Sequence, residues 1–150
     1  MKAALYPNFQ KPNALVCARK VCDVLESAGI EVSVSELFRN DFSDKSFVHF
    51  EDISISAHTA DFVLAIGGDG TILRCAKFLM GTDTKLLGIN TGTLGFMAGL
   101  EADQLDKLKL LAEEKYEISE RMTLDIAYHG EGCDIVRSAL NEVSARSSSF

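Results

Sequence analysis

The run Phe62-Val63-Leu64-Ala65-Ile66 is apolar at every position and stops abruptly at Gly67-Gly68. A strand with one wet face alternates apolar and polar residues, so an unbroken apolar run bounded by glycines marks a strand covered on both faces, as in a parallel sheet flanked by helices. The residues that follow agree with this. Ile72, Leu73, Ala76, Leu79 and Met80 recur at helical spacing and Gly81 closes the segment, after which Lys85 to Asn90 reads as another strand. Strand, helix and strand in this order place ligands at the carboxyl ends of the strands.

Upstream, Lys2 to Tyr6 reads as a first strand, and Pro7 and Pro12 mark a loop. Ala14, Cys17, Ala18, Val21, Leu25 and Ala28 then trace a helix that stops at Gly29, and Ile30 to Val34 reads as a second strand. Residues 36 to 58 are polar and weakly periodic and are expected to be an irregular connection. Downstream, Leu105, Leu108, Leu111 and Ala112 mark a helix with Asp103 placed to cap it. The period then changes to two: Met122, Leu124, Ile126 and Tyr128 alternate with other residues, His129 to Gly132 reads as a turn, and a strand returns from about Asp134 towards Val143.

The expected fold is therefore α/β: a Rossmann-like parallel-sheet N-terminal domain over residues 1–115, followed over 116–150 by the start of an incomplete β-rich second domain. Two strands cannot bury a face alone, so the chain is expected to be part of a longer one. A chain of 150 residues that is 47% hydrophobic can bury a sizeable core. Its net charge of -7 and pI near 4.9 argue against nucleic-acid and membrane-surface partners, which need clustered Lys and Arg. No stretch is long and apolar enough for a membrane span, and the N-terminal apolar run is too short for a signal peptide, so the cytoplasm is expected. Cys17, Cys22, Cys75 and Cys133 form no CxxC pair and read as reduced, buried thiols. His49, His58 and His129 lack ligand spacing, and no residue is assigned to a metal.

The chemistry concentrates in Gly67-Gly68-Asp69-Gly70-Thr71. Glycines after a buried strand let backbone approach a ligand, and the following helix offers unpaired N–H groups to phosphate, so Gly67, Gly68, Gly70 and Thr71 read as a phosphate loop. An anion beside phosphate is unfavourable unless it takes a proton or serves a cation, so Asp69 reads as a catalytic base; the alternative is that it caps a helix beginning near Thr71. Arg74, placed in the first helical turn on this reading, opposes the helix dipole and suits a bound anion, or is a solvated surface arginine. The loop is not a Walker A sequence, and no GxGxxG follows the first strand.

Gly67 to Thr71 resembles the GGDGT signature shared by NAD kinases, diacylglycerol and sphingosine lipid kinases and, in variant form, phosphofructokinases. Ile72-Leu73-Arg74, the segment Gly88-Ile89-Asn90-Thr91-Gly92-Thr93-Leu94-Gly95-Phe96, and Asn141-Glu142 resemble NAD kinases in particular; lipid kinases place an Asn-Glu-Val run directly after the signature, whereas here it lies far downstream. The resemblance implies phosphoryl transfer from ATP or polyphosphate to the 2′-hydroxyl of the adenosine ribose of NAD, giving NADP. It implies Asp69 as proton acceptor, Gly70 near the nucleotide, Arg74 facing phosphate, Asn141 and Glu142 bonded to nucleotide hydroxyls, and Phe96 beside adenine. Without the family, Phe96 could be core and Asn141-Glu142 an exposed strand pair. The resemblance further implies a divalent metal, Mg²⁺, delivered with ATP, a dimeric or tetrameric parent, and little activity in residues 1–150 alone. A lipid kinase and a non-catalytic nucleotide-binding regulator are the alternatives.

Overall fold

The computed structural model describes residues 1–11, 13–92, 95–130 and 133–140. They divide into two compact units, Met1–Glu117 and Ile118–Phe150, the second described as far as residue 140. In the first, β1 (Lys2–Pro7), β2 (Glu31–Ser35), β3 (Val48–Glu51), β4 (Phe62–Gly67), β5 (Lys85–Asn90) and β6 (Leu100–Glu101) form one sheet in the order β3-β2-β1-β4-β5-β6, with every pair parallel. This is the doubly wound strand order of dinucleotide-binding folds.

The helices cover both faces because the strands are apolar on both. Leu64 and Ile66 of β4 join Leu5 of β1 and Val32 and Val34 of β2 on one face, packed with Cys17, Val21 and Leu25 of α1 (Ala14–Ser27) and with Leu105, Leu108 and Leu111. Val63 and Ala65 point to the other face, where they meet Ala57 of α2 (Ile53–Thr59) and Ile72, Cys75 and Leu79 of α3 (Asp69–Leu79). That second face is lined with small residues, and a Cβ on Gly88 would lie 2.3 Å from Ile72 Cδ1, so the glycine lets α3 pack close to β5. Met80, expected on the buried face of α3, is its C-cap and is exposed.

Helix α1 ends as its spacing predicts. Gly29 takes φ +71, and the N–H groups of Gly29 and Ile30 donate to the carbonyls of Glu26 and Leu25 at 2.9 and 3.0 Å, which satisfies carbonyls that the helix end would leave open. The segment 36–58 departs from the expectation of an irregular connection. It holds a 3₁₀ helix (Glu36–Phe42), strand β3 and helix α2, whose N-cap Asp52 accepts from the Ser54 N–H at 2.8 Å. These elements are too short to show a period; Phe38, Phe42, Phe47 and Phe50 anchor them on the core instead. Asp103 also departs from expectation. The 3₁₀ turn Leu105–Leu108 begins after Gln104 without a side-chain cap, and α4 (Lys109–Ala112) continues from it.

In the second unit β7 (Leu124–Gly130) pairs antiparallel with β8 (Cys133–Ala139), Leu124 opposite Ala139 and Gly130 opposite Cys133. His129 and Gly130, assigned to a turn by sequence, belong to β7; Glu131, Gly132 and residues 141–143 of the expected return strand lie outside the described residues. Across this pair the Ser138 hydroxyl donates to Asp125 Oδ1 at 2.6 Å. Among the described residues no helix is long and apolar enough to cross a membrane.

Leu64 is fully buried in the central strand, and Leu64→Ala should lower unfolding free energy by about 2–5 kcal/mol in urea titration. Burial raises the thiols of Cys22 and Cys75 from 9.0 to about 12. Between these values the unfolded chain releases thiol protons that the folded chain keeps, so this contribution to stability is whole below pH 9 and is lost as pH rises towards 12. Accordingly, Cys17, Cys22 and Cys75 should resist iodoacetamide at pH 8 until the protein is unfolded, as read by mass spectrometry.

Candidate active site at the strand-order switch

The chain runs outward from β1 in one direction through β2 and β3, then returns to the opposite side of β1 as β4. The loops leaving the adjacent carboxyl ends of β1 and β4 therefore diverge and open a crevice. A cleft of about 360 Å³ lies there, lined by Asn8 and Lys11 after β1, by Gly68, Asp69, Gly70, Thr71 and Arg74 after β4, and by Gly95. The Asn8 N–H donates to the Ile66 carbonyl at 2.9 Å, extending the β1–β4 pairing up to the cleft.

The glycines divide into two roles. A Cβ on Gly67 would lie 2.4 Å from Thr71 Oγ1, so this glycine makes room for the buried threonine, and it is not among the residues lining the cleft. Gly68 and Gly70 line the cleft, and a Cβ on either would meet nothing within 4 Å. Gly68 is the N-cap of α3 and supplies no side-chain cap, so the first turn presents its backbone to the cleft.

Asp69 is the first residue of α3, two residues before the helix start expected from sequence, and it does not cap the helix. Its carboxylate turns to the loop after β5: Oδ2 accepts from the Phe96 N–H and Oδ1 from the Met97 N–H, each at 3.2 Å. A Cβ on Gly95 would lie 2.9 Å from Asp69 Oδ1, so the second glycine-rich segment is bare where it passes the carboxylate. Asn90 fixes the start of that segment, accepting from the Gly92 N–H at 3.1 Å and donating to Glu101 Oε2 at 2.9 Å.

Arg74 lies in the second turn of α3, not the first; it is exposed, and with Lys11 it gives the cleft two cations against the one carboxylate of Asp69. Phe96 is 90% exposed and is therefore not core; its backbone binds Asp69, while its ring is not part of the cleft lining. Asn141 and Glu142 lie outside the described residues, as do Thr93 and Leu94. Asn8 and Lys11 were not singled out from sequence, and Gly95 was named only within the segment Gly88 to Phe96. The rule that ligands gather at strand ends points to the loop after β1, but only the strand order shows that this loop meets Gly68–Thr71.

Among the described residues Asp69 is the only carboxylate lining the cleft, and no group of three His, Cys, Asp or Glu could bind an ion.

The division of roles between the glycines is testable by denaturation. Gly67→Ala should cost about 1–3 kcal/mol by displacing Thr71, while Gly68→Ala should leave the urea midpoint close to wild type.

Comparison with known proteins matches residues 4–116 to the family described as ATP-NAD kinase N-terminal domain. An NAD kinase of Christiangramia forsetii is 33% identical over 152 residues, covering 96% of this chain and 52% of the relative. An NAD kinase of Corynebacterium glutamicum is 40% identical over 132 residues, covering 81% of this chain and 44% of the relative. The crystal structure of yeast NADH kinase complexed with NADH superposes with a TM-score of 0.80 at 17% identity, over 94% of this chain and 47% of that one, a likeness of fold. The chain thus spans about half the length of the curated relatives it matches.

Proposed function

This chain belongs to the NAD kinase family, and from that premise we propose that the whole protein transfers a phosphoryl group from ATP or polyphosphate to the 2′-hydroxyl of the adenosine ribose of NAD, forming NADP. The observation that carries this reading is the carboxylate of Asp69, held by two backbone amides in a cleft also lined by Gly68, Gly70, Lys11 and Arg74.

The donor's phosphates lie against the uncapped start of α3, between the bare Gly68 and Gly70, with Lys11 and Arg74 offsetting their charge. Asp69 accepts the proton of the ribose 2′-hydroxyl as its oxygen bonds to the terminal phosphorus, and the bond from phosphorus to the departing phosphate chain breaks. The Phe96 and Met97 amides fix the carboxylate's orientation, so little reorganisation accompanies proton transfer. Mg²⁺ arriving with the donor supplies charge neutralisation across its phosphates. Asn141 and Glu142 bind the acceptor's hydroxyls, and the exposed Phe96 offers its ring to adenine. On the same reading the parent is a cytoplasmic homo-oligomer, a dimer or a tetramer.

In the full-length protein, Asp69→Asn should lower the rate of NADP formation by about a hundredfold to ten-thousandfold while leaving ATP binding in place. Unchanged turnover in that variant would exclude Asp69 as the base. Phosphorylation of diacylglycerol or a sphingoid base in place of NAD would overturn the choice of acceptor, and ATP binding without turnover by the wild type would point to a regulator.

A further inference from the structure

Asn8 is the first residue beyond β1, and its side chain is fixed at both ends. Its Oδ1 accepts from the Gln10 N–H at 3.2 Å, so its Nδ2 must face Thr71, where it donates to Oγ1 at 3.2 Å. Its carbonyl accepts from the Lys11 N–H at 2.9 Å, and its own N–H is committed to Ile66. Thr71 is 2% exposed and confined from below by Gly67, so its hydroxyl has little freedom to move.

A carboxamide nitrogen can only donate, so Thr71 Oγ1 must accept from Asn8 and keep its own proton for another partner. Among the described residues no acceptor takes that proton, although Thr71 lines the cleft. Resting on the kinase reading above, we propose that Asn8 is a positioning residue for the phosphoryl donor: by donating to Thr71 Oγ1 it aims the threonine's hydroxyl proton at a phosphate oxygen. A hydrogen bond to a charged group is among the stronger ones available, and this one is set by a residue from the opposite side of the strand-order switch. Asn8 acts through Thr71 and need not touch the donor itself.

The test measures binding of MgATP and of magnesium tripolyphosphate by calorimetry without NAD, alongside steady-state NADP formation, in the full-length protein. Thr71→Val and Asn8→Ala should each weaken both phosphate ligands by roughly tenfold or more, with the double variant no weaker than either single one. The KM for NAD should not change, and Thr71→Ser should bind like wild type. Asn8→Asp is nearly isosteric and still accepts from Gln10, but it would draw the Thr71 proton to itself, so it should bind at least as weakly as Asn8→Ala. A shared effect on both substrates that follows only the unfolding midpoint would mean a purely structural role. That result, additive singles, unchanged donor binding, or weakening of ATP but not tripolyphosphate would each overturn the proposal. If wild type binds MgATP but makes no NADP while the Asn8 and Thr71 effects persist, the kinase reading fails and what stands is the positioning of Thr71 against a bound phosphate.

Discussion

The site depends first on the pairing of β1 with β4. These two parallel strands bring together segments some sixty residues apart in the chain, with Pro7 opposite Ile66, and the Asn8 N–H carries the ladder one step further. The pairing persists because β4 is buried on both faces, so any shift in its register would move bulky residues onto the small-residue face beneath α3. The cleft follows from this pairing, since the chain leaves β1 and β4 in opposite directions.

On that frame Asp69 has two structural relations. It starts α3, where a negative charge favours the helix dipole, and it clasps the amides of Phe96 and Met97 from the next strand's loop. A carboxylate held in this way is oriented before any ligand arrives. Gly67 and Gly95 are each bare for a local steric reason, the first to seat Thr71 and the second to pass Asp69. Gly68 and Gly70 line the cleft, and a Cβ on either would meet nothing within 4 Å.

The regular elements were legible because their residues repeat at a fixed period over enough length. β4 announced itself by an unbroken apolar run, and α1 by its spacing and a terminal glycine whose positive φ the helix end uses. Segment 36–58 was not legible: a four-residue strand and a seven-residue helix are shorter than the window in which a period shows. The assignment of Asp103 as a cap failed because a short 3₁₀ turn starts one residue later without using a side chain.

By itself the sequence determined that there is a parallel sheet with helices on both faces, that a glycine-rich turn with a carboxylate follows its central strand, and which family carries that turn. These properties are local, set by hydrophobic period, by glycine and by residue order. Only the tertiary structure decided that Asn8 and Lys11 share the cleft, that Gly67 makes room for Thr71, and that the Asp69 carboxylate faces the loop after β5 instead of capping its own helix. Those outcomes depend on which strands become neighbours and on contacts between residues distant in sequence, information that no single segment of the chain contains.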